Sequence, residues 1–192
     1  DALPILNFAI LEGEFKVKEL DAKVLDYSSQ IEKLKKEIND LFFINPDDIN
    51  FLTEQFNLNE NKTVSVHIRR GDYLKFSDYH LVCDIEYYNN CINYFENRYK
   101  IIFISDDIEW CKNNFKADNY EFSNLNDEIL DLTLMTLCDN NIISNSSFSW
   151  WGAYLNKNQD KVILRPNEWF GNNPNTPKDT QDVTPDTWVK IK

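Results

Sequence analysis

Four short apolar runs, each broken off at once by a polar cluster, narrow most sharply what this chain can fold into. Thr63–Ile68 alternates, with Val64, Val66 and Ile68 on one side. Ile101–Ile104, Asn141–Ile143 with its neighbours, and Val162–Leu164 are the other three. The intervals carry helical periodicity over about 84–98, 107–116, 126–138 and 148–156. Strands that alternate with helices imply parallel βαβ units, so the fold class is α/β. The runs end in Arg69-Arg70-Gly71-Asp72, Ser105-Asp106-Asp107, Ser144-Asn145-Ser146-Ser147 and Arg165-Pro166-Asn167-Glu168. Ligands of open parallel sheets bind beyond the carboxyl ends of the strands, so the four clusters are expected to meet at one crevice.

The first third of the chain has a different rhythm. Val17, Leu20, Val24, Tyr27, Ile31, Leu34, Ile38 and Leu41 follow one another at steps of three and four, which is helical spacing. Residues 1–16 show no firm pattern. Ser29 followed by Glu32 reads as a capping box and predicts two helices divided near Ser28. Packing of this stretch on the chain's own domain is the expected role, with a coiled-coil seam as the alternative. Pro46 closes the region, and 47–62 reads as a short helix and a polar turn. The predicted division is a helical segment and linker over 1–62 and an α/β domain over 63–192. The tail from Pro166 holds four of the six prolines and is expected to run as loop over the surface.

Composition removes several classes of function. A chain of 192 residues that is 42% hydrophobic and 14% aromatic can bury a sizeable core. No apolar run approaches the ~20 residues that cross a bilayer, and no secretory segment opens the chain. It begins at Asp1 and its single methionine is Met135, which suggests a processed or excised piece. The net charge of −12 and the lack of a basic stripe argue against nucleic acid as a partner. An anionic ligand would need local positive charge, and of the four arginines, Arg69 and Arg70 are adjacent while Arg98 and Arg165 stand alone. Cys83, Cys91, Cys111 and Cys138 lack metal-type spacing and read as reduced, buried thiols suited to a reducing compartment.

The clusters carry recognisable chemistry. In His67-Ile68-Arg69-Arg70-Gly71-Asp72 a guanidinium fork matches pairs of phosphate oxygens. Gly71 permits a sharp turn after the strand. Asp72 is expected to hold Arg70 and free Arg69 for ligand; a bare Arg70–Asp72 ion pair is the plainer alternative. Strand alternation places His67 and Arg69 on the same side. Asp106-Asp107 could hold a divalent cation, but Ser105 or Asp106 as a helix cap is preferred, and no metal is expected. Neither common Gly-rich phosphate loop is present. Asn145, Ser146, Ser147 and Phe148 open a helix, where hydroxyls and free N–H groups bind phosphate; simple capping by Ser147 is the plainer alternative. Trp150 and Trp151 read as packing residues, and Gly152 as a site of close helix contact.

Taken together, His67-Ile68-Arg69-Arg70-Gly71-Asp72-Tyr73 and Ser144-Asn145-Ser146-Ser147-Phe148-Ser149-Trp150-Trp151-Gly152-Ala153-Tyr154 resemble the α-1,2-fucosyltransferase family. Asp131, Leu134, Met135 and Cys138 match in spacing, as do Ser105-Asp106-Asp107, Trp169-Phe170 and Pro185 with Trp188. The resemblance is strong over 63–192 and loose over 17–62. It implies a two-lobed GT-B glycosyltransferase whose C-terminal, Rossmann-like lobe binds GDP-β-L-fucose. It also implies inversion to an α-1,2 linkage on a glycan acceptor, with O2 of a terminal galactoside as the expected atom, and no cofactor. Arg69, His67 and Asp72 would then be the catalytic set. Arg70, Ser105, Asp106, Asp107, Asn145, Ser146, Ser147 and Phe148 would join His67 and Arg69 around the donor. Members of that family open with a Gly-Gly-Leu-Gly-Asn-Gln-Met-Phe-Gln type of element. It is absent here, so a truncated N-terminal lobe is expected. A non-catalytic nucleotide-sugar-binding lobe and a helical interaction module are the alternative functions. The resemblance points to a cytoplasmic, bacterial-like setting and allows peripheral membrane association of a longer parent.

Overall fold

In the computed structural model the described residues are 3–42, 44–95 and 98–192, and the side chains of 3–15, 17, 19 and 39 are not among them. The chain forms two compact units, Asp1–Phe43 and Ile44–Lys192. The first is a single helix, α1 (Leu3–Leu41). The expected break near Ser28 does not occur, and helix extends back through a stretch in which the sequence showed no pattern. Ser28 donates its hydroxyl to the Val24 carbonyl one turn back (2.8 Å), and Glu32 pairs forward with Lys35 (2.8 Å). Glu32, the acidic member of the expected box, thus pairs with Lys35 instead of capping a start at Ser29. The Val17 side chain, the first of the apolar row, lies outside the described residues.

The second unit runs α2 (Pro46–Gln55), β1 (Thr63–Ile68), α3 (Ile85–Tyr94), β2 (Lys100–Ser105), α4 (Ile108–Asn114), β3 (Tyr120–Phe122), α5 (Glu128–Leu137), β4 (Asn140–Ile142), α6 (Ser147–Leu155), β5 (Ile163–Pro166) and β6 (Val189–Ile191). Asn45, Asp84, Asp107 and Asp127 each accept a hydrogen bond from the first turn of the helix that follows, at α2, α3, α4 and α5. The six strands form one parallel sheet in the order β3-β2-β1-β4-β5-β6. Strand order therefore reverses between β1 and β4, the position at which doubly wound sheets of the Rossmann kind bind ligands.

Both faces of the sheet are covered, as parallel pairing requires. All six residues of β1 are buried. Val64, Val66 and Ile68 join Tyr87, Tyr88, Phe103 and Leu164 in one core, beneath α3 and α4. Ile102, Ile104, Leu134, Met135, Ile143 and Ala153 form the other, beneath α5 and α6. Leu52 and Phe56 bury in this second core, so the α2 segment packs with the sheet. The tail that reads as loop contributes β6, which pairs Val189, Lys190 and Ile191 with Leu164, Arg165 and Pro166. Neither β6 nor β3 was expected. Both are three-residue edge strands, too short to leave a period in the sequence.

Gly152 is the contact point of α5 and α6. A Cβ there would lie 2.9 Å from Met135 Cβ and 2.8 Å from its sulfur. The Cβ of Met135 is fixed by its own helix, so rotation of the side chain gives no relief. Gly152→Ala is expected to destabilise the fold by about 1–3 kcal/mol through overpacking. Urea unfolding followed by tryptophan fluorescence measures this, and a variant as stable as the parent would show that the two helices separate without cost.

Candidate functional site

Beyond Ile68 the chain leaves the sheet and passes through Gly71 into a 3-10 turn, Asp72–Leu74. The alternation of β1 ends there, and the arginine side chains are set by carboxylates instead. Arg69 donates from Nη2 to Asp72 Oδ1 (2.7 Å), and its Nη1 lies 3.1 Å from Asp106 Oδ2. Arg70 donates from Nε to Asp107 Oδ2 (3.1 Å), and its guanidinium lies 3.8 Å above the Trp110 ring. The expected Arg70–Asp72 pair is thus corrected: Asp72 holds Arg69, and Asp107 holds Arg70. The cause is β2, whose end delivers Asp106 and Asp107 directly beside the end of β1. The Arg69 side chain stays one-third exposed, whereas that of Arg70 is 16% exposed.

The aspartate pair is committed to these roles. Asp106 Oδ1 accepts from the Arg70 backbone N–H (2.9 Å). Asp107 caps α4 by accepting from Trp110 N, and its own N–H donates to Ser105 Oγ (2.9 Å). The cap is therefore Asp107, not Ser105 or Asp106. Gly71 is required by closeness: a Cβ there would sit 2.5 Å from Asp106 Oδ2 and displace that carboxylate from Arg69.

Across the strand-order reversal, β4 leads into Ser144, Asn145 and Ser146, all buried. Ser146 is the N-cap of α6, but its side chain makes no capping hydrogen bond, unlike the aspartates and asparagine at the other α-helices of the sheet unit. Ser147, the cap of the plainer alternative, is instead the first helical residue and is exposed. Ser149 donates to the carbonyls of Ser144 and Ser146 and fastens this corner. Asn145 donates to the Trp169 carbonyl (2.8 Å), which ties the corner to the tail. Trp150 donates to the Val183 carbonyl and stacks on Tyr154, so it packs as expected.

His67 joins the two halves. Its Nδ1 lies 3.0 Å from Ser144 Oγ, and its ring is 5.1 Å from that of Phe148. Burial first, and the nearby Arg69 charge second, lower its pKa from 6.5 to about 3, so the ring is neutral at physiological pH. Tyr73 spans the crevice from the other side, donating to the Asn145 carbonyl (3.2 Å) and stacking on His80 (4.1 Å). A cleft of about 440 Å³ opens beside Arg70 and Trp110, bounded by Val82–Glu86. A roomier one of about 560 Å³, lined by Tyr99, Lys100 and Tyr120 among others, lies at the starts of β2 and β3, away from the clusters.

Guanidinium groups held by carboxylates at the end of β1, and a helix start at the end of β4 whose N-cap side chain makes no capping bond, are both features able to bind a phosphorylated ligand. The profile of Glycosyl transferase family 11 matches residues 47–192. The chain belongs to glycosyltransferase family 11. It is 39% identical over 139 residues to the O-antigen biosynthesis glycosyltransferase WbnK of Escherichia coli, covering 67% of this chain and 44% of that protein. Identity to the alpha-1,2-colitosyltransferase of Escherichia coli is 37% over 141 residues, 68% of this chain and 48% of the other. The galactoside alpha-(1,2)-fucosyltransferase 1 of Homo sapiens is 30% identical over 103 residues, 48% of this chain and 28% of the human protein. The chain spans less than half the length of these relatives.

In this family 11 chain the structure brings His67, Arg69, Arg70, Asp72, Ser105, Asp106, Asp107, Asn145, Ser146 and Phe148 to the ends of β1, β2 and β4. Arg165, from the fourth cluster, is drawn away: it is buried and donates to the Pro166 carbonyl. Trp110 and Tyr73 were missed as site residues. Trp110 had a readable signal, since it stands three residues after a capping aspartate and so on the first turn of its helix. The four cysteines are free and buried as expected, with thiol pKa values raised by burial to about 11 for Cys111 and about 12 for the others.

The His67 shift has a definite sign. The unfolded state takes up a proton near pH 6.5, whereas the folded ring stays neutral until about 3. The unfolded chain therefore binds more protons in that window, and the contribution of His67 is lost progressively as pH falls from about 6.5 to about 3. Urea unfolding at pH 7 and pH 5 is expected to show a larger loss for the parent than for His67→Gln. Equal losses would mean that His67 protonates freely in the folded chain.

Proposed function

We propose that this chain is the donor lobe of an inverting α-1,2-fucosyltransferase of the GT-B kind, with residues 63–192 binding GDP-β-L-fucose, 44–62 packed within the same unit, and α1 belonging to the preceding lobe. The carrying observation is the pair Arg69 and Arg70, fixed by Asp72, Asp106 and Asp107 across from the start of α6. Arg69 is the phosphate ligand, because its fork is oriented by two carboxylates and still reaches solvent. Ser146 and Ser147, with the first amides of α6, support the pyrophosphate. Neutral His67 lines the same wall, and Arg70 braces it from the Trp110 side.

Transfer breaks the bond between the fucose anomeric carbon and a β-phosphate oxygen. Negative charge grows on that phosphate as GDP leaves, while a hydroxyl of the glycan acceptor, galactose O2 in this reading, attacks the opposite face and gives up its proton. An oriented guanidinium needs no reorganisation to meet that charge. Loss of one such donor typically costs ~10²–10³ in rate. The two named sugars among the relatives, fucose and colitose, set the donor comparison that the experiment should include.

Calorimetric titration of the 192-residue chain is expected to show GDP binding, and GDP-fucose binding that exceeds that of GDP-colitose. Arg69→Lys keeps the charge but loses the fork, and is expected to weaken GDP at least about tenfold with the melting temperature unchanged. Arg70→Lys is expected to act mainly on the melting temperature, through its ion pair and stacking. Absence of GDP binding at millimolar concentration would overturn the reading. A reversed pattern, with Arg70→Lys abolishing binding in a folded chain, would exchange the two roles.

A further inference from the structure

The apolar row of α1 has no part in the site above. Its steps alternate three and four without a slip from Val17 to Leu41. Written as heptads, the first core position is Val17, Val24, Ile31 and Ile38, and the second is Leu20, Tyr27, Leu34 and Leu41. The helix is continuous along this whole row, with no break at Ser28. Leu20, Val24, Tyr27, Ile31, Leu34 and Leu41 are each more than half exposed. Beside and behind the row, polar pairs knit the helix surface, Asp26 with Gln30, Glu32 with Lys35 and Lys33 with Glu37. A strict period of 3.5 residues on a helix imposes a left-handed supercoil with a partner of the same period.

We propose that residues 17–41 of α1 form a parallel, two-stranded coiled coil with a second copy of this chain. Every first core position is β-branched and none of the second is, the sorting that favours two parallel strands over higher assemblies. A second copy fits because each layer then meets itself, as a two-fold interface requires. The flanking charges agree. In register, Lys16 meets Asp21 of the second copy, Lys23 meets Ser28 and Gln30 meets Lys35, so no like charges are opposed. The inference is independent of the donor reading and survives if GDP does not bind.

Light scattering of the intact chain at tens of micromolar is expected to give twice its 22.8 kDa mass. The double variant Val24→Asp/Ile31→Asp is expected to be monomeric. Its tryptophan fluorescence is expected to be unchanged, because all five tryptophans lie in the sheet unit. Leu25→Ser, on the outer face, should leave the dimer intact. Leu20→Cys reports direction: parallel strands place the two introduced thiols in one layer, and oxidation links the copies, with the four native thiols buried and silent. A monomeric parent, or a dimer indifferent to the double variant, overturns the proposal. A dimer that Leu20→Cys does not cross-link overturns its parallel sense.

Discussion

The arrangement of the sheet unit depends on the side chain of Asn141, which is completely buried. Its amide donates to Ser65 Oγ on β1 (2.7 Å) and to the Met135 carbonyl of α5 (2.8 Å), and its carbonyl accepts from Asn156 (2.9 Å). Asn156 in turn donates to the Cys138 carbonyl. One side chain thus pins β1, β4, α5 and the segment after α6. A buried amide left unpaired costs about 1–3 kcal/mol, so a slip of β4 against β1 is penalised chemically as well as sterically. The register that pairs Ser65 with Asn141 brings His67 to Ser144, and with it the arginine turn to the start of α6.

Charge at the site is organised by direction, not by excess. Arg69 and Arg70 are matched by Asp72, Asp106 and Asp107, so the cluster carries no net positive charge. In a chain of net charge −12, an anion cannot be drawn in by the overall field. What the site offers is oriented N–H groups whose geometry is settled beforehand, with the carboxylates preventing the guanidinium groups from rotating away. Substituting Asp106 would disturb this more widely than substituting Asp72, because Asp106 holds both the Arg69 side chain and the Arg70 backbone.

Much of this was legible in the sequence, for reasons visible in particular residues. Thr63–Ile68 announced itself through the alternation of Val64, Val66 and Ile68, although Thr63, Ser65 and His67 between them prove buried as well. The polar clusters lay at strand ends because a parallel sheet has nowhere else to place them. The partner of each arginine was not legible, since Asp72 is near in sequence while Asp107 becomes near only through the β1–β2 pairing. The Asn141 network was equally hidden: asparagine inside an apolar run reads as an interruption until its partners on three other segments are known. The break assigned near Ser28 failed because the row of apolar residues continues across it at steps of three and four, which one unbroken helix satisfies.

The pairing of Ser65 with Asn141 also has a kinetic side. The two residues are separated by 76 positions, whereas β1 and β2 are joined through α3 alone. Loop closure favours the nearer pairing by about 0.6 kcal/mol per doubling of loop length. Until β4 pairs, the facing edge of β1 displays the hydrogen-bonding groups of Val64, Ser65 and Val66, a strip on which a foreign strand could dock. Only a strand presenting an amide opposite Ser65 completes the buried network, so the same asparagine that fixes the finished sheet also selects which strand is allowed to finish it.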